Sequence, residues 1–216
     1  MLETKTYPAT ELFAIMRTRS KSATDRKLNN YKISYTNEGR GNRLTYTLTN
    51  IPDRFRVYCV FDLNFSPQID FNKLRDFIFY LLGDDDFNWR PMEMMEEYLR
   101  IAGCGMSRQT ISGYLRRLER LNLIVSTNLV YYRVYKDFGV QKHEIITKEE
   151  YSKAWAVYWN KRKQGYGSRA AFSVMYNAFN GVPRKQRKLE QNALEGETLN
   201  MLSELVAESF LSETEG

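Results

Sequence analysis

The chain has 216 residues, 43% hydrophobic and 14% aromatic, with a formal net charge of +6 and a pI of about 9.2. That is enough apolar material for a sizeable core in one or two domains, it excludes a disordered chain, and the basic balance favours polyanionic partners. No apolar run nears the roughly 18–20 residues that span a bilayer, MLETKTYPAT lacks the apolar core of a secretory signal, and two cysteines, Cys59 and Cys104, are too few for a disulfide framework, so a cytoplasmic location with no membrane partner is expected.

Residues 1–50 form a small basic unit, with nine Lys and Arg against four acids. ELFAIMR (11–17) suits a short helix with Leu12, Phe13 and Met16 on its apolar face, and SATDRKLNN (22–30) a second one capped by Ser22. YKISYT and RLTYTLT then alternate strictly about the turn-rich tip NEGRGN (37–42), as a hairpin does. After a connector with Pro52, FRVYCVFDL (55–63) reads as an apolar-rich strand. FNKLRDFIFYLL (71–82) has helical spacing and an Asp70 cap, and PMEMMEEYLRIAG (91–103) starts at Pro91 and stops at Gly103.

The most informative stretch is MSRQTISGYLRRLERLNLI (106–124). At 100° per residue, Ile111, Tyr114, Leu115, Leu118 and Leu121 share one face, and Ser107 stands where an N-cap belongs. The opposite face carries Arg108, Gln109, Ser112, Arg116, Arg117 and Arg120 against the single acid Glu119. A helix that only needs solubility usually mixes charge signs there. LVYYRVYKDF and VQKHEIIT follow as two strands joined near Asp137–Gly139. The remainder reads as helical, with a Thr147/Glu150 capping box, a Ser168 cap, a stop at Asn180–Gly181 and a last helix over about 198–211.

Helix 71–82, helix 91–102, a tight turn, helix 107–122 and a wing over about 123–146 resemble the winged helix-turn-helix superfamily. SRQTISGYLRRLERLNLI looks like its third helix and the step into its wing. The resemblance covers roughly residues 55–146, and the two helices and hairpin of residues 1–50 share the outline. The expected fold is therefore α+β and helix-rich, with a small winged-helix unit at 1–50, a central one at 55–146, a helical extension at 147–182, and a basic linker with an acidic amphipathic helix at 183–216. More loosely, the whole chain looks like DNA-binding proteins of bacterial mobile elements, which implies a regulator of transcription or a replication-initiation factor.

On that scaffold an α-helix fits the major groove of double-stranded DNA and its first turns reach base edges. Arg108, Gln109 and Ser112 lie there, each good bidentate pair discriminating by about 1–3 kcal/mol, while Arg116 and Arg120 suit phosphates. Gly113, costly inside a helix, fits close backbone approach. Lys21, Ser22, Thr24, Arg26 and Lys27 cluster at the start of the second helix, and Arg40 and Arg43 sit on the hairpin tip. Arg184, Lys185, Arg187 and Lys188 either clamp phosphates or solvate a linker. The Tyr151, Trp155, Tyr158, Trp159 stripe reads as core packing ahead of base stacking.

No cofactor and no catalysis are expected. His143 is the only histidine, which argues against a triad or a His/Cys metal cluster, and Asp84, Asp85 and Asp86 read as a solvated loop before metal ligands. The last helix fits docking on the basic body, pairing in a homodimer, or binding another protein. The competing functional reading is a protein-interaction module that engages or inhibits another protein machine, as a phage counter-defence protein such as an anti-CRISPR does.

Overall fold

In the computed structural model, residues 1–84 and 87–214 are described, and they form a helix-rich α+β protein. The N-terminal unit starts with a short strand that alternation over three residues could not reveal, β1 (Thr6–Pro8). Helices α1 (Ala9–Ile15) and α2 (Lys21–Asn30) follow, then the hairpin β2 (Ser34–Glu38) and β3 (Thr45–Asn50). The sheet order is β1-β3-β2, all antiparallel, with Tyr35 opposite Leu48 and Asn37 opposite Tyr46. Ser20, not Ser22, caps α2, accepting from the Ala23 N–H at 3.3 Å. Gly39, at φ +82°, closes the hairpin tip where an added Cβ would lie 2.2 Å from the Arg43 carbonyl oxygen.

The segment 55–63, expected as a strand, lies mostly in a helix, α3 (Arg54–Phe61), capped by Asp53 accepting from the Arg56 N–H at 2.8 Å. The physical reason is burial on every side. Val57, Val60 and Phe61 enter the N-terminal core with Leu12, Met16, Leu28 and Tyr46, while Phe55, Tyr58 and Cys59 enter the central core. A helix that is apolar all round has no polar face to reveal its period. It is also a wall shared by two cores, so the boundary expected between residues 50 and 55 falls beside a common element.

The central core is closed by α4 (Phe71–Gly83), α5 (Met92–Ile101) and α6 (Arg108–Arg120). Asp70 caps α4 as expected, accepting from the Lys73 N–H at 3.1 Å. Asp84 accepts from the Phe87 N–H and so caps the next turn, while Asp85 and Asp86 lie outside the described residues. The hairpin expected as a wing consists of a long strand, β4 (Ile124–Asp137), and β5 (Val140–Ile146), joined by Phe138 and Gly139 at positive φ.

The second sheet has the order β5-β4-β6, and its third member corrects the sequence reading. Residues 183–188, expected as a linker, belong to β6 (Val182–Gln191), which pairs antiparallel with β4 from Val134↔Val182 to Ile124↔Gln191. An edge strand exposes one row of backbone groups and tolerates Pro183 and a run of Lys and Arg, a pattern that guards edges and reads as loop. Before it come α7 (Lys148–Lys163), with the Thr147/Glu150 capping box, and α8 (Ser168–Phe179), which Gly167 rather than Ser168 caps. Asn180 ends α8 in the left-handed conformation, as expected. Arg133 ties this helical hairpin to the sheet by donating to the Phe179 carbonyl at 2.7 Å and pairing with Glu144.

The last helix, α9 (Gly196–Thr214), docks on the chain's own body. Leu199, Leu202, Leu205 and Val206 are buried in the central core, and Glu208 pairs with Arg54 at 2.8 Å. Its apolar face is thereby occupied within the chain. Among the described residues, no helix is long and apolar enough to cross a membrane.

Candidate nucleic-acid interface

α6 is fixed from one side. Ser107 accepts from the Thr110 N–H at 3.3 Å, and Ile111, Tyr114, Leu115 and Leu118 are buried against the central core. The Tyr114 hydroxyl donates to the Asp70 carbonyl at 3.1 Å, and burial, helped by the Asp70 charge, pushes its pKa up to about 12. A neutral, hydrogen-bonded phenol thus anchors the helix, and its outer face is free to meet a ligand.

On that face Gln109, Arg116 and Arg120 are exposed and Ser112 is half-buried. Among the described residues, the Gln109 and Arg120 side chains bond to nothing, and Arg116 only reaches back to the Ser112 carbonyl at 3.2 Å. A Cβ added at Gly113 would meet nothing within 4 Å, so no packing inside the chain asks for glycine there. Arg108 differs from its neighbours. Its Nε donates to Glu96 at 2.6 Å and its Nη1 to Glu93 at 3.2 Å, both on α5. These contacts raise its pKa, the Glu96 hydrogen bond most. Arg117 is structural, donating to the Leu63 and Asn64 carbonyls at 2.8 and 2.6 Å over the Phe65 ring.

In the N-terminal unit the expected cluster splits. Arg26, Arg40 and Arg43 are exposed, and Lys21 bridges α2 to β2 through Asn37 at 2.9 Å, with Ser22 exposed beside it. Thr24, expected at the interface, is fully buried, taking a hydrogen bond from Thr18 at 2.5 Å and giving one to the Ser20 carbonyl. Lys27, also expected there, turns inward to the Met16 carbonyl at 2.7 Å over the Phe61 ring, and desolvation lowers its pKa. It closes the C-terminal end of α1, where an ammonium group satisfies a carbonyl left over by the helix.

On β6, Arg184, Lys185 and Arg187 are exposed, and Lys188 lies 3.8 Å from Glu190. They stand on the edge of the second sheet and not in a linker. Among the described residues, no group of three or more His, Cys, Asp and Glu is placed to hold a metal ion.

The aromatic stripe of α7 is not core. Only Ala154 on α7 and Ala171 and Met175 on α8 are buried, while Trp155 and Tyr158 are half-buried and Trp159 is 57% exposed. Helical spacing of aromatics announces one uniform face, and the sequence offered no sign that nothing in the chain covers it. No family model, curated protein or solved structure matches the chain.

Proposed function

We propose that the protein binds double-stranded DNA, without catalysing a reaction, by laying α6 in the major groove, and that it serves a mobile element as a regulator of transcription or a replication-initiation factor. The observation that carries this reading is the outer face of α6. Gln109 and Arg120 are exposed without a partner among the described residues, and Arg116 is exposed with only a bond back to its own helix, on a helix fixed by its cap and its core side. Glutamine suits adenine edges and the arginines suit phosphates. The helix pair α5–α6 leading into the β4–β5 hairpin supports a winged helix-turn-helix unit, as does the N-terminal β1-β3-β2 sheet with α1 and α2 between its strands. Arg40 and Arg43 on the first hairpin tip suit a second backbone contact.

Fluorescence anisotropy on duplexes selected from a random library tests the proposal. Converting Arg116 and Arg120 together to Ala lowers affinity for all sequences and flattens the salt dependence by about two phosphate contacts, roughly 0.9 in slope for each. Gln109→Ala relaxes base preference instead. Absence of duplex binding at low salt overturns the reading. One observation favours the alternative of a protein-binding module. Glu93 and Glu96 neutralise Arg108 and place carboxylates beside the first turn of α6, where phosphates would be repelled. Under that alternative, DNA binding is absent or indifferent to these substitutions.

A further inference from the structure

The α7–α8 hairpin has a use that binding by α6 leaves out. Its two helices bury little beyond Ala154, Ala171 and Met175, and between them runs a shallow groove. Trp155, Tyr158, Phe172 and Tyr176 wall the groove and Arg169 stands on its rim. The rings continue in both directions. Tyr131 on β4 meets Tyr151 at 4.9 Å between centroids, Trp155 meets Tyr158 at 5.5 Å, and Tyr158 meets Trp159 at 4.9 Å. Trp159, Tyr166 and Phe172 are exposed. Arg162 donates to the Tyr166 carbonyl and Lys161 lies over the Tyr166 ring, so cations and rings interleave where α7 turns into α8.

The charge of the hairpin is predominantly basic. From Lys148 to Phe179 the chain has six Lys or Arg against two Glu, and both glutamates sit in the first turn of α7, so from Tyr151 onward both helices carry only positive charge. Two copies facing each other through this surface would bring like charges together, so a second copy of the chain is a poor occupant. Duplex DNA would satisfy the cations but keeps its bases stacked inside and away from the rings. An acidic peptide would satisfy the charge without presenting planar groups. A polyanion with exposed flat faces uses both features, because bases stack on aromatic side chains while phosphates meet Lys and Arg.

We infer that the groove between α7 and α8 and the exposed Trp159 beside it bind single-stranded nucleic acid, with bases on Phe172, Trp159 and the rings between them and phosphates on Arg169 and Arg162. This site is separate from α6 and does not rest on duplex binding.

Trp155 lines the groove and Trp159 packs on Tyr158 beside it, so the test is a titration of the full chain followed by tryptophan fluorescence, with Trp89→Phe as the background that removes the third tryptophan. The probes are an oligothymidylate of about 15 nucleotides, a duplex of the same length, and poly-glutamate of matched charge. Oligothymidylate is expected to quench the emission and to bind more tightly than either control. The double substitution Trp159→Ala and Phe172→Ala is expected to weaken it by roughly ten-fold or more. Because both side chains are exposed, the thermal midpoint serves as the folding control, and Arg169→Glu, which leaves every ring in place, gives a second loss. Gln109→Ala leaves this binding unchanged. Poly-glutamate binding as tightly as oligothymidylate overturns the proposal in favour of an acidic peptide. A dimer in sedimentation that Trp159→Ala dissolves overturns it in favour of self-association. Unquenched emission, or affinity indifferent to the ring substitutions, overturns it outright.

Discussion

α6 and α7 are both helices with a uniform face, and they use it in opposite ways. α6 turns Ile111, Tyr114, Leu115 and Leu118 into a core closed by α4, α5 and α9, and leaves a basic face outside. α7 buries only Ala154 and leaves Trp155, Tyr158 and Trp159 at a half-open surface. Periodicity reports that a face is apolar, but whether something covers it depends on what the rest of the chain places nearby. α6 enters a ring of packed elements, whereas α7 has one antiparallel partner and the second sheet.

The largest effect expected from this contrast is on stability. Ile111→Ala opens a cavity in a filled core and is expected to cost about 2–5 kcal/mol. Trp159→Ala, though it removes a much larger side chain, is expected to stay within about 0.5 kcal/mol. Urea denaturation of the two variants measures the difference directly. A loss at Trp159 as large as that at Ile111 would mean that the aromatic face is covered after all.

The same contrast recurs within α2, between Thr24 and Arg26, two residues apart. Thr24→Val keeps the shape but leaves the Thr18 hydroxyl without its partner, while the Ser20 carbonyl keeps only the backbone N–H of residue 24, at about 1–3 kcal/mol. Arg26 is exposed and makes no hydrogen bond or ion pair among the described residues, so the stability change of Arg26→Ala is expected within about 0.5 kcal/mol. If the N-terminal unit meets duplex DNA, only Arg26→Ala weakens binding once folding is controlled for. Equal effects on affinity from both would break the distinction between a packing residue and a surface one.

What could be read in the sequence follows the same division. The cap at Ser107, the Thr147/Glu150 box, the hairpin turn at Phe138–Gly139 and the stop at Asn180 were legible because each is a local device needing only its own neighbours. α3 was not, since burial by two cores at once removes the polar face by which a helix is recognised. β6 was not either, because a charged edge strand shares its composition with a linker until its partner β4 is known. The α6 face was found by its charge imbalance. The engagement of Arg108 by α5 was hidden, as it joins residues on two helices across a turn.

That engagement sets the next expectation. Arg108 and Glu93 are exposed and Glu96 is half-buried at the surface, so Glu93→Gln and Glu96→Gln together should change stability by no more than about 1 kcal/mol. Their effect on function is larger under the duplex-binding proposal. Releasing Arg108 and removing two carboxylates beside the groove-facing turn is expected to raise duplex affinity, most visibly at low salt. Unchanged or weaker duplex binding in the double variant would count for the protein-binding alternative. Oligothymidylate binding to the α7–α8 groove should not respond.

The smallest expected effect lies in the sheet between these two regions, at His143. Its ring sits 5.9 Å from that of Tyr132, and desolvation, with Arg184 adding to it, lowers its pKa below the ordinary 6.5, while Glu93 works the other way. A histidine whose pKa is depressed on folding binds its proton more readily in the unfolded chain. Stability is therefore full above pH 6.5 and declines as pH falls through that value toward the folded pKa. His143 is the only histidine, so the decline between about pH 7 and 5.5, before carboxylates contribute, belongs to one group. His143→Gln should flatten it. Glu93→Gln should steepen it, because the one group favouring the charged ring is gone. A slope that Glu93→Gln leaves unchanged would place the carboxylate's influence on Arg108 alone.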